Sequence, residues 1–198
     1  MMTENHPKEE KTVLIVKPDG VRRGLVGEVL SRVEKRGLKI IALEMIQATK
    51  EQIDEHYPKD EAWLKRVGDK TVKNFATYGL DLKQLGTEVP LEIGKLIRGW
   101  LLDYMTSGPI VKVVVKGIHS IAMVRKLVGQ SMPSAAEMGT IRGDFSVDDA
   151  TAANRDMRAI HNLVHASETQ EEAAHEVAFW FASDDICDYK RAEEDIMF

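Results

Sequence analysis

His161 and His165 stand four residues apart, a spacing that on a helix would aim two imidazoles at one metal ion. Ile160, Leu163 and Val164 make the segment read as a strand instead, where residues four apart lie about 13 Å from each other. A metal-histidine site is therefore not expected. His175 and Glu176 begin a zinc-protease spacing, but Phe179 stands where the second histidine is needed. A lone Cys187 excludes an internal disulfide framework and a cysteine-rich zinc site. There is no calcium-loop pattern, no G-x-x-x-x-G-K-[ST] and no G-x-G-x-x-G after a strand. Four groups remain: Lys17-Pro18-Asp19-Gly20, Arg125, the run GTIRGDF at 139–145, and N-x-x-H-x-S at 162–167. Each alone is weak. A Pro-Asp-Gly turn is commonplace, and a histidine on an apolar strand is more often a packed core residue than a catalyst.

These groups need elements to hold them. The β-branched run 12–16 reads as a strand that stops at the Pro18-Asp19-Gly20 turn. Leu25, Val29, Leu30 and Val33 fall at helical spacing within 24–36, and Gly37 closes that helix. Residues 38–48 alternate as a strand, and 51–57 start another helix. From 58 to 90 the chain is polar, punctuated by Gly68, Gly79 and Gly86, with only fragmentary helical periodicity. An amphipathic helix follows at 91–105, then a strand at 110–116 and a helix at 120–128 stopped by Gly129. Residues 132–145 read as loop, 148–158 as a polar, Ala-rich stretch, and 160–165 as a short strand. Thr169 and Glu172 form a capping-box pattern opening a helix to about Phe181. Without the extra segments this is the βαββαβ plan of the ferredoxin-like α+β fold, a four-stranded antiparallel sheet with helices on one face. That plan serves enzymes, carriers and sensors alike, so it decides no function.

Composition narrows the classes further. The chain has 198 residues, 43% hydrophobic and 30% charged, enough for a single folded core. No apolar run approaches the roughly 18 residues of a membrane helix, and the N-terminal MMTENHPKEEK has no apolar leader segment. A reducing cytoplasm is the expected setting, with no membrane association. The net charge of −5 is local: residues 168–198 hold 10 acidic and 2 basic residues, a net of −8, which leaves +3 for residues 1–167. No block of basic residues interleaved with aromatics exists, so nucleic acid is not an expected partner. A polyanionic small molecule needs only a few cations held in one place.

Taken together, in this order and on these elements, the four groups resemble the nucleoside diphosphate kinase family. KPDGVRRGLVGE, GTIRGDF and N-x-x-H-x-S carry the resemblance, supported by the SGP at 107–109 and by Trp180, Phe181, Asp188 and Tyr189 near the end. It covers about residues 11–57 and 101–198. The resemblance implies ping-pong transfer of the γ-phosphate of ATP or another nucleoside triphosphate to a nucleoside diphosphate, through a phosphohistidine on His165. The residue chemistry agrees, because a neutral imidazole is a good nucleophile toward phosphorus when held in orientation. In the family pattern Glu176 orients the histidine. Ser167 ties that carboxylate in place, caps the helix, or does both. Lys17, Arg125 and Arg142 match the phosphate-contacting cations, Ser131 stands at the position of a phosphate-contacting threonine, Asn162 matches the sugar contact, and Tyr57 matches a site tyrosine. Mg²⁺ is expected on the phosphates rather than in a protein cage. The family also implies a homo-oligomer, a hexamer or tetramer built from dimers.

Departures from the pattern are local. Ala166 replaces the glycine after the histidine, and Glu168 stands at the following acidic position. The chain is expected to hold a flexible tail at 1–10 and a single domain at 11–198 carrying two insertions, at about 58–90 and 147–160. The first displaces the aromatic that stacks on the base: the ungapped position is Ile97, and Trp63, Phe75, Tyr78 and Trp100 are the candidate replacements. It is expected to form a helical lid beside Tyr57. The second is expected to cover the pocket or form a subunit contact. A catalytically silent relative that binds a nucleotide or a partner is the competing reading. It has no chemical need of Lys17, His165 and Glu176 together.

Overall fold

The computed structural model describes residues 8–197. Strand β1 (Glu9–Val16) leads into a short helix α1 (Pro18–Arg22), then α2 (Val26–Lys35) and β2 (Lys39–Ile46). Helices α3 (Lys50–His56), α4 (Glu61–Tyr78) and α5 (Pro90–Met105) follow, then β3 (Ile110–Ile118) and α6 (Ser120–Val128). Helices α7 (Ile141–Phe145) and α8 (Ala150–Arg155) precede β4 (Val164–Ala166), α9 (Gln170–Trp180) and α10 (Glu194–Met197). The sheet is antiparallel throughout, in the order β2-β3-β1-β4 of a ferredoxin-like fold. Of the expected tail, residues 1–7 lie outside the described residues, while Glu9 and Glu10 belong to β1, opposite Ile118 and Gly117.

Helices cover both faces of the sheet, not one. Val13 and Ile15 point into a core with Ile53 of α3, Leu102 and Met105 of α5, and Trp180 of α9. Leu14 and Val16 point the other way, into a core with Val29 and Val33 of α2 and Val124 and Val128 of α6. A strand buried on both faces reads as an unbroken apolar run, which is why residues 12–16 show no polar alternation. The segments set aside from the βαββαβ plan are the ones that build the second layer.

Three expectations change in detail. Pro18-Asp19-Gly20 is the first turn of α1, with Pro18 at a position where its missing N–H costs nothing. The segment expected as loop, 132–145, contains a 3₁₀ turn at Pro133–Ala135 and α7. The last strand is shorter and later than 160–165, because Leu163 has a φ of 67° and no strand continues through that conformation. His161 therefore lies outside the strand, its ring 5.0 Å from that of Tyr104.

The 58–90 segment is the largest difference, an 18-residue helix where only fragments were legible. Its buried stripe is Leu64, Gly68, Thr71 and Phe75, a helical spacing in which two of four positions are not apolar. Gly68 is a notch for close packing: a Cβ there would lie 1.8 Å from the Pro90 carbonyl oxygen, and one on Gly94 of α5 would lie 2.0 Å from that of Leu64. Backbone meets backbone at this crossing. Gly79, in contrast, ends the helix in the left-handed conformation, with a φ of 63°. Helix α4 also touches α8, so the two expected insertions meet. Gly68→Val is expected to cost at least about 1–3 kcal/mol in urea unfolding, because no side-chain movement relieves a clash with backbone. Gly99→Ala, on the same helix as Gly94 but with open space at its Cβ, is expected to stabilise by about 0.5–1 kcal/mol. Equal effects from the two would contradict the close crossing.

Candidate active site

The Lys17–Gly20 motif is a mould for the segment before His165. The Lys17 backbone N–H donates to the Leu163 carbonyl at 2.8 Å, and its Nζ donates to Asn162 Oδ1 at 2.7 Å. Asp19 Oδ2 accepts from the Leu163 N–H at 3.1 Å, while Oδ1 accepts from the Tyr104 hydroxyl at 2.5 Å. Gly20 leaves room for this: a Cβ there would meet the Leu163 oxygen at 3.0 Å and Val16 Cγ1 at 2.8 Å. A left-handed leucine costs about 1–3 kcal/mol and persists only where its surroundings overdetermine it. Here both its amide groups are held by one motif.

Two residues on, His165 sits in β4 opposite Ile15 of β1. Its Nε2 lies 2.7 Å from Glu176 Oε1, and Ser167 Oγ donates to Glu176 Oε2 at 2.7 Å. Ser167 Oγ in turn accepts the Val13 N–H at 3.1 Å. Of the two roles open for Ser167, the structure shows the tie to the carboxylate. The helix cap is Thr169, whose hydroxyl accepts from the Glu172 N–H. The box is shifted by one residue, since the Glu172 carboxylate accepts from Glu168 N–H instead. Burial first, then the Lys17 charge, holds the His165 pKa down at about 3, so the ring is neutral at neutral pH. An ionised Glu176 can only accept, so against it Nε2 is the donor and Nδ1, the other ring nitrogen, is left with a bare lone pair. Burial pushes the Glu176 carboxyl up, opposed by His56 and by the Ser167 hydrogen bond.

The cations arrive from separate elements. Arg142 of α7 is buried and donates to three backbone carbonyls: Gly129 at 2.8 Å, Val164 at 2.6 Å and Asn162 at 3.1 Å. It clamps both neighbours of Leu163. Burial, then the Arg125 charge, lowers its pKa to about 10. Burial, then the Arg142 charge, brings the Lys17 amine down to about 7, against a raising effect of Asp19. Arg125 of α6 is more open and lies 3.3 Å from Glu168, and its charge acts on both His165 and Arg142. Ser131 offers its carbonyl to Asn162 Nδ2 at 2.9 Å. The Tyr57 hydroxyl is buried without a hydrogen-bond partner among the described residues, and its ring is 6.3 Å from that of His165. Burial, then Glu176, pushes that phenol's pKa up.

All nine residues expected at the site thus belong to one connected region. The family model described as nucleoside diphosphate kinase matches residues 10–75 and 94–186, which include all nine. The chain belongs to the nucleoside diphosphate kinase family. Its relative from Pyrobaculum aerophilum, a nucleoside diphosphate kinase, is 49% identical over 89% of this chain and 97% of its own. That of Archaeoglobus fulgidus is 35% identical over 96% and 97%. A crystal structure of the Pyrobaculum aerophilum NDP kinase superposes with a TM-score of 0.88 at 46% identity, covering 91% of this chain and all of that one. The nucleoside-diphosphate kinase of Borrelia burgdorferi, solved as a transition state mimic with vanadate and ADP, gives 0.77 at 33%, covering 96% of each.

The family model leaves residues 76–93 unmatched, from the last turn of α4 to the first turn of α5. Of the aromatics weighed as the base platform, Phe75 is fully buried with Leu85 and Ile93. Ile97, the ungapped position, and Trp100 are partly buried and pack against the same cluster. Trp63 is partly buried at the start of α4, and Tyr78 is exposed at its end. No helix among the described residues is long and apolar enough to cross a membrane.

One residue at the site belongs to none of the sequence motifs. His56, the last residue of α3, places its ring 4.7 Å from those of both Tyr57 and His165. Its Nδ1 is 3.4 Å from Glu176 Oε1 and accepts from Trp180 Nε1–H at 3.2 Å. The only sequence signal was its place beside Tyr57. The donor atoms of His56, His165 and Glu176 lie within 4.8 Å of one another, a set that could ligate a metal. Each is committed to a hydrogen bond, so the cluster fits a proton network better than a cation.

Proposed function

We infer that this chain transfers the γ-phosphate of ATP, or of another nucleoside triphosphate, to nucleoside diphosphates through His165. The observation that carries the reading is the 2.7 Å contact of His165 Nε2 with a carboxylate that Ser167 holds from its other side. In the first step Nδ1 gives its electron pair to the γ-phosphorus, and the bond to the β,γ-bridging oxygen breaks with its electrons leaving on the diphosphate. In the second a β-oxygen of the acceptor diphosphate attacks the same phosphorus, and the P–N electrons return to Nδ1. Glu176 stabilises the positive charge that the ring acquires while phosphorylated. Lys17, Arg125 and Arg142 supply fixed positive charge for the transferred group, with Ser131 as a hydroxyl donor. Asn162 contacts the sugar, and Tyr57 walls the site beside the ring.

Mg²⁺ would enter on the substrate phosphates, where it neutralises charge and orients the oxygens. The residues fit that arrangement, because the carboxylates of Asp19 and Glu176 are already engaged by Tyr104, Leu163, Ser167 and His165. Donor and acceptor use one pocket in turn, bound mainly through phosphates and sugar, which accounts for the missing phosphate loop. Helix α4, which starts four residues after Tyr57 and reaches α8, is read as a cover for that pocket. The homo-oligomer reading is supported by β2, an edge strand whose Leu43 and Met45 are exposed.

The test is direct. Incubated with γ-labelled ATP and Mg²⁺, the protein is expected to take up label that is acid-labile and base-stable, and to pass it to added GDP. Acid-stable label, or label not transferred to GDP, would contradict a phosphohistidine route.

A further inference from the structure

We propose that Trp180 and His56 act as a proton-selecting pair that reserves the Glu176 carboxylate for His165 and so keeps His165 in its nucleophilic tautomer. The proposal rests on the reading of His165 as the nucleophile. Glu176 and Trp180 are four residues apart on α9, so both face the same way, onto the His56 ring. That ring is 1% exposed, and Oε1 of Glu176 sits between the two histidines, 2.7 Å from His165 Nε2 and 3.4 Å from His56 Nδ1. Two imidazoles therefore compete for one oxygen.

Trp180 decides the competition. An indole N–H can only donate, so its contact at 3.2 Å makes His56 Nδ1 an acceptor. A neutral His56 must then carry its proton on Nε2. Burial first, then the neighbouring His165 imidazole, holds the His56 pKa at about 3, which keeps the ring neutral. The Nε2 position is buried with no hydrogen-bond partner among the described residues. An unmet buried donor is costly, and the fold bears that cost to keep Nδ1 turned to Trp180. Glu176 Oε1 is left with His165 Nε2–H as its proton donor, and His165 Nδ1 stays bare. Lys112 keeps Trp180 in place: its Nζ donates to the Trp180 carbonyl at 2.5 Å and lies 4.3 Å from the Phe181 ring centre. His56 and Trp180 are thus positioning residues, acting on the reacting nitrogen through Glu176.

The experiment is nitrogen NMR on the full-length protein with ¹⁵N-labelled histidine, joined to single-turnover phosphorylation by ATP. In the wild type His56 is expected protonated at Nε2 and bare at Nδ1, and His165 likewise protonated at Nε2. Trp180→Phe keeps a ring but removes the donor. It is expected to put proton density on His56 Nδ1 and to slow His165 phosphorylation about ten- to a hundredfold, with nucleotide KM within about threefold. His56→Phe removes the competitor and is expected to lose about threefold, through the stranded indole donor. The double variant is expected to be no slower than His56→Phe, a rescue that a merely structural Trp180 would not give. The proposal is overturned if wild-type His56 is protonated at Nδ1, if Trp180→Phe alters neither tautomer nor rate, or if the double variant is as slow as Trp180→Phe. Should Trp180→Phe fail to fold, the wild-type spectrum decides. Label persisting in His165→Ala would sink the nucleophile reading and leave the His56 tautomer as measured.

Discussion

Replacing His165 by alanine is expected to lower kcat about a million-fold, the scale on which removing a nucleophile outweighs every positioning effect. The neighbours explain why no substitute steps in. His56 Nδ1 is occupied by Trp180, the Glu176 oxygens are taken by Ser167 and face the vacated ring, and Tyr57 is a buried phenol whose pKa is pushed up. Binding is expected to survive, because Lys17, Asn162, Arg125 and Arg142 lie on other elements and Arg142 is held by backbone carbonyls rather than by the histidine. Calorimetric titration with ADP and Mg²⁺ should therefore give a dissociation constant within about threefold of wild type, beside a collapsed turnover number and no protein-bound label. The fold should hold as well. A histidine whose native pKa lies near 3 gives the folded state no charge interaction to lose at neutral pH. Retention of label, or of even a thousandth of the turnover, would assign the chemistry to another residue.

The trio proposed to react was legible because it is local. His165, Ser167 and Glu176 lie on one strand, one reversal and two turns of the following helix, so a motif and a capping signal place them together. What holds them was less legible, for identifiable reasons. Leu163 looks like strand sequence, and only its contacts with Lys17 and Asp19, more than 140 residues away, show that it breaks the strand. Thr71 and Gly68 thin the apolar stripe of α4 because a glycine notch buries nothing yet permits the closest packing. Arg142 was expected as a phosphate cation, and the structure adds three carbonyl bonds that make it the clamp of the His165 loop. His56 meets Trp180 across 124 positions, a pairing that no local periodicity encodes. Local spacing carried the candidate residues, and long-range contacts carried their orientation.

Lys17→Met is expected to cost about a hundred- to ten-thousandfold in kcat/KM, the range for removing one charged donor from a phosphoryl-transfer site. The pH dependence separates charge from packing. Lys17 is protonated below about pH 7 in the free protein and neutral above it, since burial and Arg142 bring its pKa there. Phosphate binding needs the cation, so kcat/KM, which reports the free enzyme, should fall as pH rises through about 7. In kcat the same limb should lie at higher pH, because bound phosphate favours the charged amine. Lys17→Met should abolish the limb along with the activity, and His165, neutral down to about pH 3, should add no second limb near 6.5. Stability runs the opposite way. Between about pH 7 and 10.5 the unfolded chain holds the Lys17 proton and the native state does not, so this group makes the protein more stable as pH rises through that window. Below about pH 7 its cost to folding is fully present, and there Lys17→Met should raise the thermal midpoint most. A variant that loses both activity and stability at pH 6 would show that Lys17 serves the Asn162–Leu163 segment structurally. One that loses activity while gaining stability would identify a cation kept for the phosphates at the expense of the fold.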